Sequence, residues 1–297
     1  MHKIDSSSYY LADHLGGFSA DFNNNIIDSL PLGPLNVSTE YVLPIEIKKR
    51  YPQIKFSLAY NAKKKILNGL SDYLQHPAIE YKNFLCSFNG SEHVGRKLLV
   101  AIINQFGYFN TNYCSKNFVF SVDKLDGHIS DYVADQDVLY RKFFISTNSS
   151  AFFNTVNSFG HDRYNHKQNI YNLEHKLTQS FLHLVSETMA TSYVPFVTEK
   201  FLYSVVTRGL FLSYAQPGWH AHVEKHFGFK RYTKLFDYEF DSVQNPVERL
   251  VKLMAMVSKF NLLTPDDWKD LYQIEQETIE YNYHHYFSQD YLKCLAK

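Results

Sequence analysis

Leu184-Val185-Ser186-Glu187-Thr188, then Val197-Thr198-Glu199-Lys200-Phe201, then Arg208-Gly209-Leu210-Phe211-Leu212-Ser213-Tyr214-Ala215-Gln216-Pro217-Gly218 follow one another in the second half of the chain. Around them, Ser180 to Ser186 reads as a buried strand, Glu199 to Thr207 as a helix and Gly209 to Tyr214 as a strand. Strand, helix and strand with short connections predict a right-handed parallel unit. That unit puts Ser186-Glu187 at the carboxyl end of one strand and Thr198-Glu199-Lys200 at the start of the next helix. In open parallel sheets this edge is where ligands bind. A helix start there offers free N–H groups to a diphosphate, and Lys200 adds a full charge. Glu199 can accept hydrogen bonds from ribose hydroxyls, and the second strand exits through Gln216-Pro217-Gly218, where a glycine admits a ligand or backbone.

The same pattern extends outward. Asn83 to Phe88 is a short apolar run ended by Asn89-Gly90, and Arg96 to Phe106 carries Leu98, Leu99, Ile102 and Ile103 at helical spacing, which predicts strand, loop and helix. A further strand is expected over Asn117 to Val122. Ile54 to Leu58 alternates like a strand, Ala62 to Leu74 has helical spacing, and the glycines, asparagines and prolines up to residue 45 predict strands and loops. Six asparagines between Asn148 and Asn172 mark a candidate interlobe segment. Downstream, Val247 to Phe260 is an amphipathic helix, and Pro265 to Leu295 reads as a helix capped by Thr264.

Composition sets outer bounds. The chain has 297 residues, 45% of them apolar and 20% charged, the balance of a well-buried globular protein long enough for two lobes and a cleft. Thirty basic residues balance thirty acidic ones, so no long-range field draws in a polyanion and any nucleic-acid contact must be local. Cys86, Cys114 and Cys294 are odd in number and widely spaced, which argues against a disulfide framework and a zinc site and fits a cytoplasmic location. Met1 to Gly17 does not read as a signal peptide, and no run of about eighteen apolar residues predicts a membrane span.

The stretch from Ser186-Glu187 to Thr198-Glu199-Lys200 resembles the donor-binding signature of fucosyltransferase-like enzymes of the GT-B architecture. It is also similar to phage- and virus-encoded sugar transferases in which a Gly-Phe, an acidic-aromatic patch and an Asn-Pro…Arg helix follow. Here these are Gly228-Phe229, Phe236 to Asp241 and Asn245-Pro246-Val247-Glu248-Arg249. The likeness covers residues 180 to 260. Upstream, Phe84 to Phe88 with Asn89 and Arg96 looks like a segment in which an Asn and an Arg face the cleft, although Ser91-Glu92-His93 stand where those enzymes carry basic residues.

The resemblance implies two Rossmann-like lobes with a cleft between them: an acceptor lobe over residues 1–160, a donor lobe over 161–268, and a C-terminal helix over 269–297 packing back on the first lobe. It implies transfer of a sugar from a UDP- or GDP-linked donor to an acceptor hydroxyl, without metal or cofactor. The donor would be held by Ser186, Glu187, Thr198, Glu199, Lys200, Gln216 and Gly218, with Arg96 neutralising the diphosphate from the other lobe. Glu92 and His93 are the candidate bases.

Simpler readings stand beside these. Glu199-Lys200 alone is an ordinary first helical turn, and Arg96 could serve as a structural cap. Asp135-Gln136-Asp137 matches a metal-diphosphate motif, but roughly one such match is expected by chance in a chain of this length. Asp237 to Asp241 reads as a solvated surface segment, and His220, His222 and His226 as ordinary polar positions. Lys48, Lys49, Arg50, Lys63, Lys64 and Lys65 form a local basic run that could meet acceptor phosphates. The acceptor is then either DNA carrying a hydroxymethylated base, reachable only in a groove or flipped, or a glycan. The alternative from another class is a noncatalytic protein that binds nucleic acid or glycan.

Overall fold

The computed structural model describes residues 2–3, 8–11, 35–39, 49, 52, 54–58, 80–90, 94–118, 166–187, 190, 197–198 and 200–288. They form a mixed α/β structure with two four-stranded sheets. The first contains β1 (His2–Lys3), β2 (Ser8–Leu11), β3 (Leu35–Thr39) and β4 (Ile54–Leu58) in that order. β1 runs antiparallel to β2, and β2, β3 and β4 are mutually parallel, with Tyr9 opposite Val37 and Val37 opposite Phe56.

The second sheet carries the strands predicted around the Ser-Glu and Thr-Glu-Lys segments. β5 (Asn83–Asn89), β6 (Tyr113–Lys116), β7 (Ser180–Ser186) and β8 (Leu210–Tyr214) are all parallel and lie in the order β6-β5-β7-β8. β7 matches its expected limits and is buried at every position, as a central parallel strand covered on both faces must be. Helix α1 (Val94–Gln105) joins β5 to β6, α2 (His166–Thr178) precedes β7, and α3 (Lys200–Val206) joins β7 to β8. α4 (Trp219–Phe227), α5 (Pro246–Ser258) and α6 (Pro265–Phe287) follow.

Because right-handed connections lead outward from β5 and from β7 in opposite directions, their helices fall on opposite faces of the sheet. The packing agrees: α5 lies against α1, and α6 against α3. On the α6 face, the Trp268 ring stacks on Phe181 of β7 at 5.9 Å and lies 6.0 Å from Phe84 of β5, while its Nε1 donates to Phe260 O at 2.8 Å. Thr264 and Asp267 close a capping box ahead of Trp268, so the expected cap is present. α6 also holds the connecting segment before α5. Asn282 accepts from Lys230 N (2.7 Å) and donates to Lys230 O (2.9 Å), and Glu275 accepts from Lys234 N (2.6 Å).

Three expectations change. The strand expected over Asn117 to Val122 lies earlier, at Tyr113–Lys116, and residues 119–122 lie outside the described ones. The turn after α1 is tight, with Gly107 at φ 76° and Asn112 Oδ1 accepting from Leu85 N at 3.0 Å, so the chain rejoins β5 at once. Tyr-Cys-Ser-Lys pairs there without a long apolar run to announce it. The asparagine-rich segment ends in helix, since Ile170, Leu173 and Leu177 form a buried stripe on α2. Finally, β5 and β6 precede residue 160 and share one sheet with β7 and β8, and α6 packs against that sheet at β7 and α3. The residue-160 boundary between lobes therefore cuts through one sheet.

His183, in the middle of β7, is buried and donates Nε2–H to Leu177 O at 2.8 Å. Burial pushes its pKa down to about 4, against the partial opposition of that backbone bond. The unfolded chain takes up this proton near pH 6.5 and the folded chain does not. Stability from His183 is therefore complete above about pH 6.5 and is lost as the pH falls toward 4. Urea midpoints at pH 7.5 and 5 should show a loss of about 2 kcal/mol from this residue. His183→Gln should remove that portion of the pH dependence; an unchanged slope would place the titration elsewhere.

Candidate functional site

The strand order reverses between β5 and β7, because the chain leaves β5 toward β6 and leaves β7 toward β8. A crevice opens outside the carboxyl ends of the two central strands in such sheets. Here the edge is built from Asn89 and Gly90 after β5, Lys116 ending β6, Ser186-Glu187 ending β7, and Ala215-Gln216 after β8.

The groups at this edge are polar and buried. Asn89 donates from Nδ2 to Ser87 Oγ and Ser115 O, both at 3.2 Å, and its backbone N–H reaches Ser115 Oγ at 3.3 Å. These bonds fix the amide while leaving Oδ1 without a partner among the described residues. Ser186 Oγ, at the end of the neighbouring strand, is equally buried and unpartnered among them. Buried polar atoms are almost always satisfied, so an acceptor and a hydroxyl left over side by side mark a place suited to a polar ligand. The charges are lopsided: Arg96 and Lys97 in the first turn of α1 and Lys116 at the end of β6 are buried, against the buried carboxylate of Glu187. Lys116 Nζ donates to Phe118 O at 3.0 Å, and desolvation lowers its pKa below the ordinary ammonium value. Glu187 N–H donates to Tyr214 O at 3.0 Å, extending the β7–β8 ladder by one residue.

At the start of α3, Thr198 Oγ1 accepts from both Lys200 N and Lys200 Nζ at 3.3 Å. The threonine thus caps the short helix and orients the half-buried lysine. Of the residues expected in a donor site, Ser186, Glu187, Thr198, Lys200 and Gln216 gather at the carboxyl edge. Arg96 joins them on α1, from the same sheet rather than from a facing lobe. Glu199, Glu92 and His93 lie outside the described residues, as do Lys48, Arg50, Lys63, Lys64, Lys65 and Asp135 to Asp137; Lys49 is exposed. Lys97 and Lys116 were missed. Lys97 adjoins Arg96 and could have been read with it, whereas Lys116 was hidden by the misplaced strand.

Gly218, expected in the donor site, and the histidines after it stand at the start of α4 and along it. Gly218 has φ 73°, a left-handed conformation that leads into α4, and nothing lies within 4 Å of a Cβ built on it. His220 is buried and its Nε2 accepts from Ser213 N at 3.0 Å, so the ring proton sits on Nδ1 and is donated to Asp241 Oδ1 at 2.8 Å. Asp241 Oδ2 accepts from His220 N (3.1 Å) and Ala221 N (3.4 Å). Burial acts to raise the Asp241 carboxyl, and the His220 ring with the two N–H donors overcomes it, holding the pKa below its ordinary value. Asp241 is therefore a buried helix cap, so the reading of residues 237 to 241 as a solvated segment holds for exposed Asp237 and Glu239 and is corrected for Phe240 and Asp241. Ser213, His220 and Asp241 have the composition of a nucleophilic triad, but the histidine takes the serine's backbone N–H instead of its hydroxyl. It shields the outer edge of β8 rather than activating a nucleophile. The His222 and His226 rings lie 4.6 Å apart, tilted by 42°, one helical turn apart on α4, and burial pushes His222 down to about 4.

No family model, curated protein or solved structure matches the chain. Among the described residues, no group of three or more His, Cys, Asp or Glu side chains could hold a metal ion, and no helix is long and apolar enough to cross a membrane. Cys86 and Cys114 are buried and are not joined in a disulfide.

The Asp241 geometry gives a direct check. Asp241→Ala strands three N–H groups, the two of His220 among them buried, and should cost about 3 kcal/mol in urea unfolding. Exposed Asp237→Ala should stay within about 0.5 kcal/mol. Equal losses in the two variants would contradict the buried cap.

Proposed function

We propose that the chain is a nucleotide-sugar-dependent glycosyltransferase of GT-B-like design that moves a sugar from a UDP- or GDP-linked donor to an acceptor hydroxyl. One observation supports this above the others. Two segments far apart in sequence, Asn89 to Arg96 and Ser186 to Lys200, each resembling part of the same enzyme signature, converge on the carboxyl edge where the strand order reverses. A nucleoside diphosphate suits that edge, since it brings negative charge to buried cations and hydroxyls to buried polar atoms.

In this reading the chemistry is leaving-group stabilisation. As the bond between sugar and diphosphate breaks, negative charge gathers on the departing phosphate, and Arg96 and Lys200 meet it with fixed positive charge. A charge held in place by its surroundings lowers the barrier without reorganising during the reaction. Thr198 holds Lys200 by the bond to Nζ, Ser186 and Asn89 offer a hydroxyl and a carbonyl to the donor, and Glu199 accepts ribose hydroxyls. Glu92 or His93 takes the acceptor proton, both standing just before α1 in sequence. The acceptor is a hydroxymethylated base of phage DNA or a glycan hydroxyl, with Lys48 to Arg50 and Lys63 to Lys65 on the acceptor side. The same resemblance gives a cytoplasmic enzyme in the host cell.

The test is donor turnover. Purified protein should release nucleoside diphosphate slowly from UDP- or GDP-sugar even without acceptor, and Lys200→Ala should lower that rate on the order of 100-fold while the circular dichroism spectrum is kept. A full panel of nucleotide sugars with no release and no thermal shift would leave a noncatalytic binding protein as the better account.

A further inference from the structure

Between Glu187 and Thr198 the chain passes a point that is gripped from two sides. Arg249, in the first turn of α5, is 1% exposed, and its Nη2 donates to Ala190 O at 2.8 Å across 59 residues of sequence. Its Nη1 donates to Val243 O and, at 3.1 Å, to Gln244 O. The guanidinium is itself held in register. Asn245 caps α5 by accepting from Val247 N (2.9 Å) and Glu248 N (3.1 Å), and Tyr214 Oη, at the end of β8, donates to Pro246 O at 3.1 Å. From the other side comes Gly95, in the first turn of α1 and adjacent to Arg96. A Cβ at Gly95 would stand 2.5 Å from the Ala190 Cβ, closer than two carbons can approach.

A buried arginine is costly to desolvate, and satisfying the two carbonyls before its own helix would not require burial. The bond to Ala190 is what ties distant parts of the chain together. Ala190 is fixed by backbone contact with α1 on one flank and by the Arg249 fork on the other, and α1 and α5 pack directly. Ser186 and Glu187 lie four and three residues before this point, and Thr198 and Lys200 eight and ten residues after it.

We propose that Arg249 and Gly95 are positioning residues: together they clamp Ala190 and so set the spacing between Arg96 and the Ser186 to Lys200 segment before a nucleoside diphosphate arrives. The inference rests on the nucleotide reading of that edge. Its physical content is preorganisation. A binding edge whose anchor point is already fixed pays less ordering entropy when the ligand binds, and loosening or displacing that anchor weakens affinity without removing a contact to the ligand. Neither residue touches the ligand.

The experiment is calorimetric titration of the full chain with UDP and GDP, well below the melting temperature of each variant. Gly95→Ala should weaken the diphosphate that the wild type binds by about tenfold or more. Ala190→Gly placed in the Gly95→Ala background removes the colliding methyl and should restore affinity to within about twofold of wild type. Arg249→Lys keeps the charge and loses the fork, and should weaken binding comparably even if Gly95→Ala fails to fold. A merely structural role would lower the melting temperature of the variants and leave affinity unmoved. Wild-type binding with unchanged affinity in Gly95→Ala and Arg249→Lys would overturn the clamp alone, as would a double variant as weak as Gly95→Ala. Absence of binding to either diphosphate by the wild type would overturn the nucleotide reading and the clamp's role with it.

Discussion

The parallel pairing of β5 with β7, seen in the register of Leu85 with Leu182 and Cys86 with His183, is the constraint on which the second sheet depends. It joins two segments separated by most of a hundred residues and makes them the two central strands. Once they are neighbours, β6 and β8 can only add outward, and right-handed connections send α1 and α3 to opposite faces. The polar edge is a product of that reversal. Asn89 and Ser186 end neighbouring strands at the same edge, and Arg96 stands close to it in the chain because α1 leaves from the end of β5.

Around this frame, buried polar side chains do work that backbone pairing cannot. β8 has no described strand on its outer side, and His220 supplies a ring nitrogen to Ser213 N in place of one. Asp241 then takes the remaining imidazole proton and two N–H groups at the start of α4, so one carboxylate satisfies a ring and a helix terminus together. Arg249 does the equivalent for three carbonyls. Each of these groups is expensive to bury alone and acceptable only because it bonds several partners at once, which makes the arrangement specific as well as stable.

How much of this could be read from the sequence follows from what kind of interaction carried each part. β7, β8, α5 and the Thr264 cap were legible because apolar periodicity and capping residues are local signals. β6 was not, since four residues of mixed polarity pair only because β5 is already there. The helix at the end of residues 148 to 172 went unread for a related reason: asparagine count concealed the Ile170, Leu173 and Leu177 stripe. At the carboxyl edge, Ser186, Thr198, Lys200 and Arg96 are residues that the motif singles out, whereas Lys116 depended on a strand limit. The burial of Asp241 could not be seen in an acidic-aromatic run, because what buries it is a histidine ring from another element.

The packing of Trp268 on Phe84 and Phe181 bears on how the chain comes off the ribosome. Phe84 emerges first, Phe181 well after it, and Trp268 last of the three. The aromatic face of the two central strands therefore stays uncovered until α6 has been made, exposed to water and to other nascent chains. This sheet closes only once α6 has emerged, and the interval before it arrives is when the chain is most open to aggregation and to chaperone capture.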